Sequence, residues 1–254
     1  MSEKDTLFQG SPDHTGDFAR DFAKDFAKDF VFDEHVVRVF PDMIRRSVPG
    51  YGLVLHMLGL VARRYVQANS SVYDLGCSLG AATLAMRQAV SAPGVRFIAV
   101  DSSPEMIAQC RGRLGPEDGL APVECILEDV CRLDVSNASM TVLNYTLQFI
   151  EPQQRLLLLS RIAAGTQPDG VLFLSEKISF EQPVEQQLQT ELHHDFKRAQ
   201  GYSELEIARK RNALERVLQP DTDAVHRRRL LEAGWRQVVC CFQAFNFVTY
   251  LASR

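Results

Sequence analysis

Apolar positions along this chain recur with two different periods, and the switches between them lay out the fold. Short β-rich runs at Ser71–Leu75, Val95–Val100, Pro122–Leu127, Met140–Tyr145 and Val171–Ser175 predict five strands, with helical segments between them. Strand, helix, strand in that order means a parallel sheet joined by crossovers. Two more β-rich runs, Trp235–Phe242 and Phe245–Leu251, follow a helix that ends at Gly234 and predict a terminal hairpin. The expected architecture is α/β and Rossmann-like: a mostly parallel, seven-stranded sheet with an antiparallel C-terminal strand.

Ahead of the first strand, Val36 to Ala68 reads as a helical lead-in, broken at Val48-Pro49-Gly50-Tyr51 before an amphipathic run from Leu53 to Val66. Between the fifth strand and the hairpin lies a polar, helical insert at about 181–218, in which Ser203 and Glu206 have the spacing of a capping box. A lid over a site at the strand ends has this form. Residues 17–30 read DFARDFAKDFAKDF, which puts Phe18, Phe22, Phe26 and Phe30 on one helical stripe. That repeat reads as a tandem expansion in a tolerant terminal arm, with docking of the stripe on the body or a second subunit as the alternative. Residues 1–35 are thus an arm, and 36–254 a single domain with its insert.

Composition narrows the function. With 254 residues and 46% hydrophobic content the chain can bury a full core. A net charge of −4 supplies no overall positive field for a polyanion, so direct nucleic-acid binding is not expected. The six cysteines show neither a C-x-x-C pair nor zinc-type spacing, and read as reduced thiols. His193 and His194 are sequence neighbours and face different sides of a helix, so no metal is expected. No apolar run reaches the roughly 18 residues of a membrane span, and Met1 to Gly10 lacks a signal peptide's basic-then-apolar order. The expectation is a cytoplasmic protein.

The chemistry gathers at the predicted strand ends. In Val72-Tyr73-Asp74-Leu75-Gly76-Cys77-Ser78-Leu79-Gly80-Ala81-Ala82-Thr83 an apolar strand runs into a small-residue turn that opens a helix, letting backbone approach a ligand closely. The dinucleotide pattern G-x-G-x-x-G would cradle a pyrophosphate, but Ser78 and Ala81 stand at its second and third glycines. That favours a nucleoside-bearing ligand without phosphate. Asp101, closing the second strand before Ser102, is placed to accept both ribose hydroxyls. Asp129 can accept from an adenine amine, and Asn144 can meet an amino-acid end. Each residue alone is ordinary turn chemistry; four strand ends directed at one ligand form the signal.

In these motifs the chain resembles the carboxy-S-adenosyl-L-methionine synthase family. The resemblance runs from Arg38-Val39-Phe40-Pro41-Asp42-Met43-Ile44 and Ser47-Val48-Pro49-Gly50-Tyr51 through the Asp74–Gly80 loop to Phe247. It includes Asn144-Tyr145-Thr146-Leu147-Gln148-Phe149, Ser175-Glu176-Lys177, His193-His194-Asp195-Phe196-Lys197-Arg198 and Gly201-Tyr202-Ser203-Glu204-Leu205-Glu206-Ile207. It implies a class I methyltransferase fold that does not methylate. On that resemblance S-adenosyl-L-methionine is the expected substrate, prephenate the expected carboxyl source, and carboxy-S-adenosyl-L-methionine and phenylpyruvate the expected products. It further implies a homodimer, and a downstream tRNA carboxymethyltransferase that uses the product at a wobble uridine.

Carried over by position, the family's cofactor contacts fall on Tyr51, Gly76, Cys77, Ser78, Asp101, Ser102, Asp129, Val130 and Asn144, and its signature basic residue on Arg211. A guanidinium suits a carboxylate as a two-pronged donor, whereas an S-methyl group carries no anion to be held. Arg211 would therefore tell carboxymethyl from methyl. Without the resemblance it reads as part of a solvated helix face with Arg209, Lys210 and Arg216. The rival readings are a methyltransferase acting on a small molecule or tRNA, and a non-catalytic cofactor-binding subunit.

Overall fold

A computed structural model of the chain describes Lys4 and residues 34–116, 119–208 and 218–254. The Phe18–Phe30 repeat lies outside the described residues, as do Arg211 and the predicted helix beyond residue 208.

The lead-in forms α1 (Glu34–Ser47) and α2 (Tyr51–Tyr65), separated at the expected break by a turn through Gly50 at φ 75°. There follow β1 (Ser71–Leu75), α3 (Ala81–Ala89), β2 (Arg96–Asp101), α4 (Pro104–Arg113), β3 (Val123–Leu127) and β4 (Ala138–Asn144). After a 3-10 turn (Leu147–Phe149) come α5 (Pro152–Gly165), β5 (Thr166–Lys177), α6 (Pro183–Ala199), α7 (Asp223–Glu232), β6 (Gln237–Ala244) and β7 (Phe247–Ser253). The seven strands form one sheet in the order β3-β2-β1-β4-β5-β7-β6. All pairs among β1 to β5 are parallel, and β7 runs antiparallel to both its neighbours.

Helices cover both faces of the sheet, which is why β1 is buried at every residue. Successive strand side chains go to opposite sides. Val72 and Phe173 meet Val54, Leu58 and Ala62 of α2 and Met86 of α3. Tyr73, Leu75, Leu172 and Leu174 meet Leu158, Leu159 and Ile162 of α5, with Leu230 and Trp235. Edge strand β6 keeps every other residue exposed.

Strand boundaries fall within about two residues of the sequence expectation except at β5, which begins five residues earlier, at Thr166. Gln167-Pro168-Asp169-Gly170 has turn composition, and Asp169 adopts φ 62°. The ladder absorbs it with a register shift between the Ala138↔Thr166 and Met140↔Val171 pairs. The stop at Gly234 holds: its φ is 103°, and Trp235 N–H and Gly234 N–H donate to the carbonyls of Leu230 and Leu231 at 3.2 and 3.1 Å.

The insert is helical where described. The capping box is present at Ser203, whose N–H donates to Glu206 Oε2 at 2.7 Å while Glu206 N–H donates back to Ser203 Oγ at 3.3 Å. Arg46 ties this turn to α1: its Nε donates to the Gln200 carbonyl at 2.8 Å, and its guanidinium lies 3.9 Å from the Tyr202 ring centroid. Among the described residues no helix is long and apolar enough to cross a membrane.

Candidate active site at the strand ends

Strand order reverses between β1 and β4, and in an open α/β sheet the crevice at the carboxyl ends beside such a point is where ligands bind. A cavity of about 910 Å³ lies there, walled by the strand-end loops, α1 and α6. Its lining includes Tyr51, Gly76, Cys77, Ser78, Asp101, Ser102, Asp129, Val130 and Asn144, all nine positions expected to meet a cofactor. Arg211 lies outside the described residues.

The loop after β1 is held by backbone bonds. The amides of Gly76 and Cys77 both donate to the Val100 carbonyl, at 2.8 and 2.9 Å, and Ser78 N–H donates to Asp101 Oδ2 at 2.8 Å. Gly76 sits at φ 81°, and a Cβ there would overlap the Thr146 side chain. Only glycine lets the β1 and β4 loops approach so closely. Asp101 also accepts from Ser103 N–H at 3.0 Å, so each oxygen is oriented and retains acceptor capacity toward the cavity. Burial raises its pKa, against the opposing backbone bonds.

Among the described residues that line the cavity, a carboxylate oxygen and an amide oxygen are buried without a hydrogen-bond partner, as is the Tyr145 hydroxyl. Asp74, 1% exposed, uses Oδ2 to accept from Thr83 N–H (3.0 Å) and Thr83 Oγ1 (2.5 Å), which leaves Oδ1 unpartnered. Asn144 Oδ1 is likewise unpartnered. Burial lifts the Asp74 carboxyl to about 6, with Thr83 opposing and Asp101 adding to the rise. Buried acceptors are costly to leave unmade, so such a pair fits a ligand that brings a donor. Asp74 was quoted in the sequence only as part of the loop. Its signal was a lone carboxylate inside an otherwise apolar strand.

Cys77 is a wall rather than a nucleophile. Its Sγ lies 3.9 Å from Cys110 Sγ, and the neighbouring thiol and burial both push its pKa upward. Glu176, fully buried, accepts from the amides of Leu147 and Gln148 at 2.9 Å each and so fixes the turn that follows Asn144. Burial raises its carboxyl to about 8 despite those bonds and nearby Arg155.

The sequence suggests a helical lid here but does not single out the side chains that it turns toward the cavity. Gln186, Thr190, His193 and Lys197 face the cavity from α6 at helical spacing. His193 Nε2 lies 2.8 Å from the Ser47 carbonyl, its ring is edge-on to Phe247 at 5.0 Å, and burial pushes its pKa well down. As a neutral imidazole it donates to that carbonyl. Among the described residues no group of three His, Cys, Asp or Glu side chains is placed to hold a metal ion.

A sheet of this order, with a glycine-turn loop at its switch point and an acidic residue ending the next strand, defines a Rossmann-like class I methyltransferase fold. Residues 72–170 match a family model described as a methyltransferase domain. Solved structures similar to the chain include the S-adenosylmethionine-dependent methyltransferase SibL (TM-score 0.59, 16% identity, 91% of this chain and 61% of that one). Human N-acetylserotonin methyltransferase in complex with SAM is another (TM-score 0.52, 16% identity, 91% and 64%).

Sequence similarity is more specific. A carboxy-S-adenosyl-L-methionine synthase of Trichlorobacter lovleyi is 57% identical over 222 residues, covering 87% of this chain and 91% of the relative. One of Pasteurella multocida is 49% identical over 249 residues, 98% of both chains. The chain belongs to the carboxy-S-adenosyl-L-methionine synthase family.

Proposed function

We propose that this enzyme converts S-adenosyl-L-methionine and prephenate to carboxy-S-adenosyl-L-methionine and phenylpyruvate. The observation that carries the reading is kinship along the full chain with synthases of that name, 98% of both chains in the Pasteurella case. The site fits the first substrate. Asp74 Oδ1 and Asn144 Oδ1, both buried and unpartnered among the described residues, suit its α-ammonium; Asp101 suits the ribose hydroxyls, and Asp129 suits the adenine amine.

In the reaction we envisage, two bonds of prephenate break as its ring becomes aromatic. The ring carboxyl leaves as carbon dioxide and the ring hydroxyl as hydroxide. Hydroxide takes a proton from the sulfonium methyl and becomes water, and the resulting carbanion attacks carbon dioxide to form the carboxymethyl group. Atoms and charge balance with no side-chain nucleophile. The chain contributes proximity, exclusion of water and positive charge for the carboxylates, with Arg211 holding the new one. The protein acts as a cytoplasmic homodimer, and a tRNA carboxymethyltransferase uses its product at a wobble uridine.

The decisive experiment incubates the purified chain with S-adenosyl-L-methionine and prephenate and weighs the nucleoside product. A gain of one carbon dioxide is expected. Absence of that gain, with methyl transfer to another acceptor instead, would return the chain to ordinary methyltransferase chemistry.

A further inference from the structure

Apart from Arg45 and Arg113 on the helices after the arm and after β2, the charged side chains lining the cavity separate by sign along the sheet edge. Asp74, Asp101 and Asp129 stand at the ends of β1, β2 and β3, while Lys177 ends β5 and Lys197 and His194 look in from α6. Adjacent strands are about 4.8 Å apart, so Lys177 lies two spacings, roughly 10 Å, from the Asp74 end. A ligand seated over β1 to β3 leaves the β5 end of the cavity to a second molecule.

Three observations give that end its character. Lys197 is 7% exposed, so its charge acts within a largely water-excluded space. His193, between the basic residues, is kept neutral first by burial and then by the charge of Lys197, with Lys177 and His194 contributing, so all three lie within electrostatic reach of one ring. Flat apolar surface adjoins them: Phe247 is the register partner of Lys177, and Tyr145 packs edge-on to Phe247 at 5.9 Å.

We propose that the β5–α6 end of the cavity is a subsite for a small dicarboxylate bearing a six-membered ring, with Lys177 and Lys197 each donating to one carboxylate and Phe247 and Tyr145 flanking the ring. The two lysines come from different elements, which suits two separated carboxylates better than a single one. The positive potential there draws in the anionic partner, while the acidic end suits the cationic first substrate. This deepens the synthase reading and rests on it for the identity of the dicarboxylate, prephenate.

The test separates the two claims by measuring binding without turnover. The full-length protein is saturated with S-adenosylhomocysteine, which has no methyl group to carboxylate, and titrated calorimetrically with prephenate. Lys177→Gln and Lys197→Gln are each expected to weaken prephenate about tenfold or more, the scale of a charge-assisted hydrogen bond, and to bind S-adenosylhomocysteine within twofold of wild type. Thermal melts identify a variant that fails to fold; Lys177, at a strand end, is the substitution that decides in that case. Wild-type prephenate affinity in a folded variant overturns the subsite, as does a parallel loss of affinity for both ligands or failure of the wild type to bind prephenate. Should the wild type bind prephenate but form no carboxylated product, the subsite stands and the synthase reading falls. Should product form while the variants bind prephenate normally, the reverse holds.

Discussion

Asp74 offers the sharpest test of how the first substrate is held. Its carboxyl is fully buried and lifted to about 6, from an ordinary value of 3.8, and one oxygen lacks a partner among the described residues. If that oxygen receives an ammonium, binding selects the ionised form. At pH 5 only about a tenth of the free protein is ionised at Asp74, so affinity is expected to be roughly tenfold below its plateau above pH 7. Calorimetry with S-adenosylhomocysteine, which keeps the ammonium, in two buffers of different ionisation enthalpy is expected to show proton release below pH 6. Asp74→Asn is expected to flatten the profile and weaken binding at pH 7.5 by about 1.5–3 kcal/mol, the worth of a hydrogen bond to a charged group. Stability moves the other way. With the folded pKa raised, the contribution of Asp74 is full below about 3.8 and is lost as pH rises through about 6, so the ligand-free variant should melt no lower than wild type at pH 7.5. Identical binding profiles for wild type and Asp74→Asn, or proton uptake on binding, would refute the reasoning.

Gly76→Ala is expected to lower stability by about 1–2 kcal/mol from the left-handed backbone alone, with more from the overlap at Thr146. The melting temperature should fall by roughly 2–4 °C per kcal/mol, and an unchanged melt would mean the loops are not so closely apposed. Glu176→Ala leaves the amides of Leu147 and Gln148 without their acceptor, at about 1–3 kcal/mol each in urea denaturation. Glu176→Gln, which keeps one acceptor oxygen, should fall between it and wild type. Arg211→Ala is expected to retain S-adenosyl-L-methionine while losing preference for the carboxylated form by about tenfold or more in competition binding. Carboxylation at the wild-type rate in this variant would remove Arg211 from the site.

How much of this was legible in the sequence depends on the range of the interaction. β1 was read at its observed bounds because its buried run is continuous and the glycine turn marks its end. The Ser203–Glu206 cap and the stop at Gly234 are local bonds written in local residues. The nine positions that the family resemblance marks for a cofactor are far apart in sequence, yet the topology brings them, from Tyr51 to Asn144, to the wall of one cavity. The polar face of α6 was not found. Its residues carry the spacing of any amphipathic helix, and only the tertiary fold turns that face onto a cavity. Glu176 carries no local signal of its role, since it is buried and its partners lie 28 and 29 residues earlier on a neighbouring turn. The early start of β5 was masked by residues that elsewhere make turns.

The place of β7 bears on how the chain is made. β7 follows β6 in the chain yet inserts between β5 and β6, and its first residue, Phe247, helps to line the cavity. Until it arrives, β5 has an open edge and β6 has no partner, so the nascent chain presents an unpaired, strongly apolar strand from the emergence of β5 to that of β7. Truncation before Phe247 would leave that edge exposed permanently. Such a truncation should accumulate as aggregate rather than as a stable enzyme with an incomplete site.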